Sequence, residues 1–166
     1  YNPLYRMGLD KFMQEARAAG IEGLIVPDLP LDEMYVLKGY GMEIIPMLAP
    51  SSTDERVQMA AQQQAAFIYC VSVRGVTGMR NLPEQEIKDY LQRVRTDTRT
   101  PLALGFGISG PQQVETFRDY ANAVVVGSYL ARIIEEYEAL PWLLPGQMEK
   151  AFLELSKARE DQHGSI

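Results

Sequence analysis

The sequence has 166 residues, 16 Lys and Arg against 22 Asp and Glu for a formal charge of −6, and is 46% hydrophobic and 23% charged. Such values suit one soluble globular domain, 1–166, with material for a sizeable core, and the acidic balance excludes a surface for nucleic acid or an anionic membrane, where phosphates need a basic patch. One cysteine (Cys70) and one histidine (His163, in a polar tail) exclude a Cys/His zinc cluster, a disulfide and a Ser-His-Asp triad.

Taken in chain order, Tyr1-Asn2-Pro3 reads as the exit of a strand, so the chain is expected to begin inside a structural element. Leu9, Phe12, Met13, Ala16 and Ala19 recur at helical spacing and stop at Gly20, a residue type suited to the turn after a helix end. Gly23 to Pro27 is a short apolar run closed by Asp28-Leu29-Pro30 and predicts a buried strand. A brief helix over 31–39 leads to a strand over 43–48, and Ser52-Thr53-Asp54-Glu55 has the form of a capping box opening a helix to about Gln64. A third strand over 66–71 precedes a helix marked by Ile87, Tyr90, Leu91 and Val94. A fourth over 101–105 precedes a helix begun by Pro111, and a fifth over 123–126 precedes one with Leu130, Ile133, Ile134 and Tyr137. Pro141 to Pro145 breaks the pattern before a terminal helix with Met148, Phe152 and Leu155, expected to fray after about Arg159.

Five strands this apolar, each separated by a helix, predict an α/β fold with a parallel sheet covered by helices. Two architectures compete. Length favours an open doubly wound sheet, since a closed (β/α)8 barrel takes roughly 250 residues; loop chemistry favours the barrel. No window approaches the roughly 20 apolar residues of a membrane span and no leader opens the chain, so a cytoplasmic setting is expected.

The polar and glycine-rich clusters fall at predicted strand ends, where both architectures place their sites. Gly75-Val76-Thr77-Gly78 follows the third strand, Gly105-Phe106-Gly107-Ile108-Ser109 the fourth, and Gly127-Ser128 the fifth at a helix start. Glycines let an anion approach backbone N–H groups, and a helix N-terminus adds partial positive charge, so the last two clusters predict a phosphate cup. The alternative is that these glycines only form turns. A Rossmann dinucleotide site fits less well, because no G-x-G-x-x-G follows the first strand. Tyr69 and Phe106 at strand ends either sandwich a flat ring or fill the core. Asp28 is the carboxylate directly at a strand exit, suited to a general base, a loop anchor or a subunit contact.

At these residues the sequence resembles the tryptophan synthase α subunit family. The resemblance rests on Tyr1-Asn2-Pro3, Gly23-Leu24-Ile25-Val26-Pro27-Asp28-Leu29-Pro30, Val73-Arg74-Gly75-Val76-Thr77-Gly78, Gly105-Phe106-Gly107-Ile108-Ser109 and Val126-Gly127-Ser128, in the family's order and over nearly the whole chain. It implies a TIM (β/α)8 barrel, incomplete here, with about five C-terminal βα units and a terminal helix. It also implies a lyase that cleaves indole-3-glycerol phosphate to indole and glyceraldehyde 3-phosphate in tryptophan biosynthesis. This subunit would need no cofactor or metal, and its partner in an α2β2 assembly would be a β subunit carrying pyridoxal phosphate. Carried over by motif, Gly78, Gly107, Gly127 and Ser128 would hold the phosphate, and Ile25, Pro27, Tyr69 and Phe106 would line the indole pocket. Thr77 would lie in a closing loop, and Asn2, Asp28 and Pro30 would stand near the β-subunit contact; Arg74 receives no role. The family's catalytic Glu and Asp lie upstream of residue 1, so no catalytic residue is expected in this chain, and the isolated chain is expected to be inactive and poorly stable or self-associating. The alternative is a non-catalytic module of the same fold that binds phosphate or the β subunit.

Overall fold

The computed structural model describes residues 1–72, 83–105 and 107–159. Among them the α-helices are α1 (Asn2–Met7), α2 (Leu9–Ala18), α3 (Tyr35–Lys38), α4 (Asp54–Gln62), α5 (Glu84–Asp97), α6 (Pro111–Phe117), α7 (Ser128–Glu136) and α8 (Leu144–Arg159). The strands are β1 (Gly23–Ile25), β2 (Glu43–Ile45), β3 (Met47–Leu48), β4 (Ile68–Val71), β5 (Leu102–Gly105) and β6 (Ala123–Val124).

Every strand pairing is parallel, β1 with β2 and then β3, β4, β5 and β6 side by side. β2 and β3 are the two halves of one extended run divided at Pro46. Proline has no N–H for a ladder, but the Pro46 carbonyl accepts from the Tyr69 amide at 2.9 Å, so the run passes from pairing with β1 to pairing with β4. Strands therefore neighbour one another in the order of the chain, with helices between them, and form part of the wall of a (β/α)8 barrel. The open doubly wound alternative is set aside by this order, since it reverses direction from a central strand.

Side chains alternate across the wall with period two. Leu48, Cys70, Leu104 and Val124 stand in one row of the register and face the helix layer, where they meet Val57 of α4, Leu91 and Val94 of α5, and Phe117 of α6. Met47, Tyr69, Ala103 and Ala123 stand in the other row, toward the barrel interior. The helices follow their sequence signals. α5 buries Ile87, Tyr90, Leu91 and Val94, one stripe at i, i+3, i+4 and i+7. α6 begins at Pro111 and buries Val114 and Phe117. α2 ends before Gly20, whose φ of 78° lies in the left-handed region.

Two expectations are corrected. The cap of α4 is Thr53, whose hydroxyl accepts from the Arg56 amide at 3.4 Å, one residue later than the Ser52–Glu55 box. Ser52 is already engaged, accepting from the Ala49 amide at 3.0 Å to close the preceding turn. The first and last strands are also not buried throughout: Ile25 and Val125 are each 41% exposed. β1 and β6 each have one neighbour among the described residues, so half of what a parallel sheet needs for burial is not supplied. None of these helices is long and apolar enough to cross a membrane.

Candidate functional site

Parallel strands place all their C-terminal ends on one rim. At the end of β4, Ser72 is buried, and both its amide (3.1 Å) and its hydroxyl (3.1 Å) donate to the Gly105 carbonyl at the end of β5. At the end of β6, Ser128 opens α7 and its hydroxyl donates to the Ile108 carbonyl at 3.2 Å. One turn later on α7, the Arg132 guanidinium donates to the Ser109 carbonyl at 2.7 Å. The two glycine-bearing tips are thus joined at one end of the sheet rather than pointing to opposite ends. Ser72 and Arg132 were missed in the sequence reading; the i, i+4 spacing of Ser128 and Arg132 is the one signal that places both on the same face of α7.

The glycines at these tips have different reasons to be glycine. Gly107 has a φ of 75°, a conformation that strains any residue with a Cβ. Gly127 has an ordinary negative φ, and a Cβ added there would meet nothing within 4 Å. Neither backbone nor packing requires its small size, so the turn-forming alternative accounts for Gly107 and not for Gly127. Gly127 is the N-cap of α7 and has no side chain with which to cap that helix, and the hydroxyl of Ser128, the first helical residue, is turned to Ile108. The first amides of α7 therefore have no intrahelical acceptor and carry the positive end of the helix dipole beside an open space.

Tyr69 lies on the inward row of β4 and is 9% exposed. A Cβ on Gly105 would overlap the Tyr69 hydroxyl, so the ring crosses the end of β5 where that strand has no side chain. Burial raises the Tyr69 hydroxyl above its ordinary pKa, which keeps it neutral. Ile25 and Pro27 are exposed on the same rim at the end of β1, with the β2 and β3 run between them and β4. Gly78, Thr77, Arg74, Phe106 and His163 lie outside the described residues.

Asp28 is exposed, and its carboxylate lies against the backbone nitrogen of Tyr1 at 2.5 Å. Asn2 follows Tyr1 directly, so Asn2 and Asp28 share one patch, and exposed Pro30 follows two residues later. Cys70 faces the helix layer beside Tyr90, and burial pushes its thiol up to about 11, which leaves it unreactive near neutrality. No three His, Cys, Asp or Glu side chains among the described residues gather as a metal site.

The sequence profile of the family described as tryptophan synthase alpha chain matches residues 1–159. The tryptophan synthase alpha chain of Syntrophomonas wolfei is 65% identical over 150 residues, 90% of this chain and 58% of that one. That of Carboxydothermus hydrogenoformans is 44% identical over 140 residues, 82% of this chain and 52% of that one. Among solved structures, the alpha chain of Legionella pneumophila superposes with a TM-score of 0.80 at 30% identity, covering 100% of this chain and 62% of that one. The tryptophan synthase a2b2 complex of Pyrococcus furiosus superposes with a TM-score of 0.76 at 35% identity, covering 95% of this chain and 64% of that one. The chain thus spans a little over half the length of these curated relatives.

Proposed function

This chain belongs to the tryptophan synthase alpha chain family, and on that premise we propose that it forms the substrate-holding part of an α subunit that cleaves indole-3-glycerol phosphate. The reaction is a retro-aldol step giving indole and glyceraldehyde 3-phosphate, within tryptophan biosynthesis. The observation that carries the reading is Gly127, whose lack of a side chain leaves the N-terminus of α7 open without any demand from φ or packing. A phosphate dianion suits that place, because uncapped amides and the helix dipole both favour negative charge there.

In this reading the backbone of Gly107, Gly127 and Ser128, with Gly78, grips the phosphate. Arg132 and Ser128 hold the loop after β5 against α7, so both halves of the cup keep their spacing. The Tyr69 ring forms one wall of the indole pocket, with Phe106, Ile25 and Pro27 completing it. Thr77 belongs to the loop that closes over the substrate and excludes water. Breaking the carbon–carbon bond needs a proton delivered to indole C3 and bases for the indole N–H and the glycerol hydroxyl. In this reading the residues named above bind and orient the substrate for those transfers. The Asn2, Asp28 and Pro30 patch is the contact for a β subunit, which carries the pyridoxal phosphate of the assembly; the α part works without a cofactor in the cytoplasm.

The test joins this chain to the part of the Syntrophomonas wolfei relative that it does not match, and titrates the joined protein with glycerol 3-phosphate by calorimetry. Gly127→Asp places a carboxylate where the phosphate belongs and is expected to abolish the binding heat with the thermal melt unchanged. Undiminished binding by the variant would sink the phosphate assignment. Indole release from indole-3-glycerol phosphate is expected from the joined protein and not from this chain alone; release by this chain alone would mean that Asp28 or another local carboxylate does the proton transfer.

A further inference from the structure

The loop that joins β5 to α6 is held at three successive backbone polar groups, and one of the side chains that holds it has no part in the phosphate reading. Gln113, half-buried in the first turn of α6, turns its side-chain oxygen back along the chain. Its Oε1 accepts from the Ser109 amide at 2.6 Å and from the Ser109 hydroxyl at 2.9 Å. From the other side α7 takes the carbonyls, with Ser128 donating to Ile108 at 3.2 Å and Arg132 to Ser109 at 2.7 Å. The Ile108 carbonyl and the Ser109 amide are the two polar ends of one planar peptide unit. That unit is tied to α7 at its oxygen and to α6 at its nitrogen, while the Ile108 side chain is buried in the core. In a capping box the third helical residue bonds the amide of the N-cap. Gln113 is the third residue of α6, whose N-cap is Gly110, yet it bonds Ser109, one position earlier.

We infer that Gln113 is a positioning residue for the phosphate cup: through Ser109 it fixes the peptide unit that follows Gly107 and keeps the loop's carbonyl oxygens turned to α7. The inference rests on the phosphate reading of Gly107, Gly127 and Ser128. Turning a peptide unit over exchanges its N–H for its C=O, so a group that attracts an anion is replaced by one that repels it. Gly107, directly before the unit, has a φ of 75° and belongs to the residue type that tolerates the dihedrals such a turn needs. Resistance to it comes from the bonds at the two ends of the unit, and Gln113 supplies the one at the nitrogen. The phosphate end of a substrate is not its reacting end, and a grip there acts on the ground state and the transition state alike. Loss of Gln113 therefore shows as weaker binding and not as slower chemistry.

The test uses the joined protein with two substitutions. Gln113→Leu removes the acceptor at similar bulk, and Gln113→Glu keeps an acceptor oxygen in the first turn of a helix, where a carboxylate is favoured. Exchange of the Ser109 amide is followed without ligand, glycerol 3-phosphate binding by calorimetry, and KM and kcat with indole-3-glycerol phosphate. In Gln113→Leu the Ser109 amide should exchange at least about tenfold faster. The Kd for glycerol 3-phosphate and the KM should both rise at least about fivefold, with kcat within about twofold. Gln113→Glu should restore slow exchange and bring both constants to within about twofold of the unsubstituted protein. A helix-capping role alone would lower the melting temperature of the Leu variant and leave both constants unmoved, and that result overturns the inference. So does a fall in kcat at constant KM, or a Ser109 amide that exchanges in the Leu variant as it does without the substitution. If the Leu variant does not fold, the Glu variant decides: slow exchange with near-unchanged binding upholds the inference, and slow exchange with binding weakened more than about fivefold overturns it. Binding undiminished by Gln113→Leu sinks this inference alone, whereas no binding by the unsubstituted joined protein sinks the phosphate reading and this inference with it.

Discussion

Strands β4 and β5 and strands β1 and β6 are made of the same kinds of residue and run in the same direction, yet they end in different environments. Ile68, Cys70, Leu102 and Leu104 are fully buried, whereas Ile25 of β1 and Val125, directly after β6, just as apolar, are 41% exposed. The difference lies in neighbours: β4 and β5 have a strand on each side and helices α4, α5 and α6 over them, and β1 and β6 have a strand on one side among the described residues. Apolar character states that a strand is to be buried, and the number of neighbours decides whether it is. The rim at the C-terminal ends of the strands crosses that divide, with Tyr69 and Gly105 on the packed strands and Gly127 beyond the last one.

The sharpest way to break this contrast is a pair of truncations followed by urea denaturation. Leu104→Ala is expected to cost about 2–5 kcal/mol, and Val125→Ala no more than about 1 kcal/mol, because the cavity term arises only where the surroundings are packed. Equal losses would show that the two regions do not differ in packing. Next in size is Gly105→Ala, whose new methyl meets the Tyr69 hydroxyl and should cost about 1–3 kcal/mol. Adding Tyr69→Val should recover much of that loss, while Gly127→Ala, with nothing nearby, should stay within about 0.5 kcal/mol. A double variant no more stable than Gly105→Ala alone would refute the crossing of the ring over β5.

A third test uses pH. The Cys70 thiol sits near 11 in the folded protein against 9.0 when unperturbed, so above pH 9.0 the unfolded chain releases its proton first. The native state then binds more protons, and stability falls as pH rises from 9.0 toward about 11. Tyr90, held up mainly by burial and then by Cys70, acts in the same direction. Cys70→Ala should flatten part of that alkaline fall, and an unchanged slope would place the titration elsewhere. A smaller loss is expected at the cap of α4, where Thr53→Ala should cost about 1 kcal/mol in the same denaturation series. A loss from Ser52→Ala with none from Thr53→Ala would restore the cap to Ser52.

The rhythm of the chain was legible in its residues. The stripe of Ile87, Tyr90, Leu91 and Val94, the stop at Gly20 and the start at Pro111 are local signals, set by helical period and by φ, and each element stands where they placed it. The cap of α4 slipped by one because Ser52 and Thr53 are both good acceptors, and only the turn from Ala49 shows which is engaged. At the rim, G-F-G-I-S and G-S fall at strand tips that the structure joins at one end of the sheet, but no spacing in the sequence shows that Tyr69 needs Gly105 bare, or that Arg132 reaches Ser109. Those contacts join residues 36 and 23 positions apart, beyond the reach of any local pattern.

By itself the sequence determined the alternation of strand and helix, the stop and start positions, and the motifs that mark the family, because each depends on side chains and dihedrals within a few neighbouring residues. The tertiary structure alone decided which apolar strands are covered, which glycine is demanded by its backbone and which is left open, and which side chains of α7 come to hold the loop after β5. Burial, open space and long-range hydrogen bonds are properties of neighbours brought together from distant positions, and the order of residues does not state them.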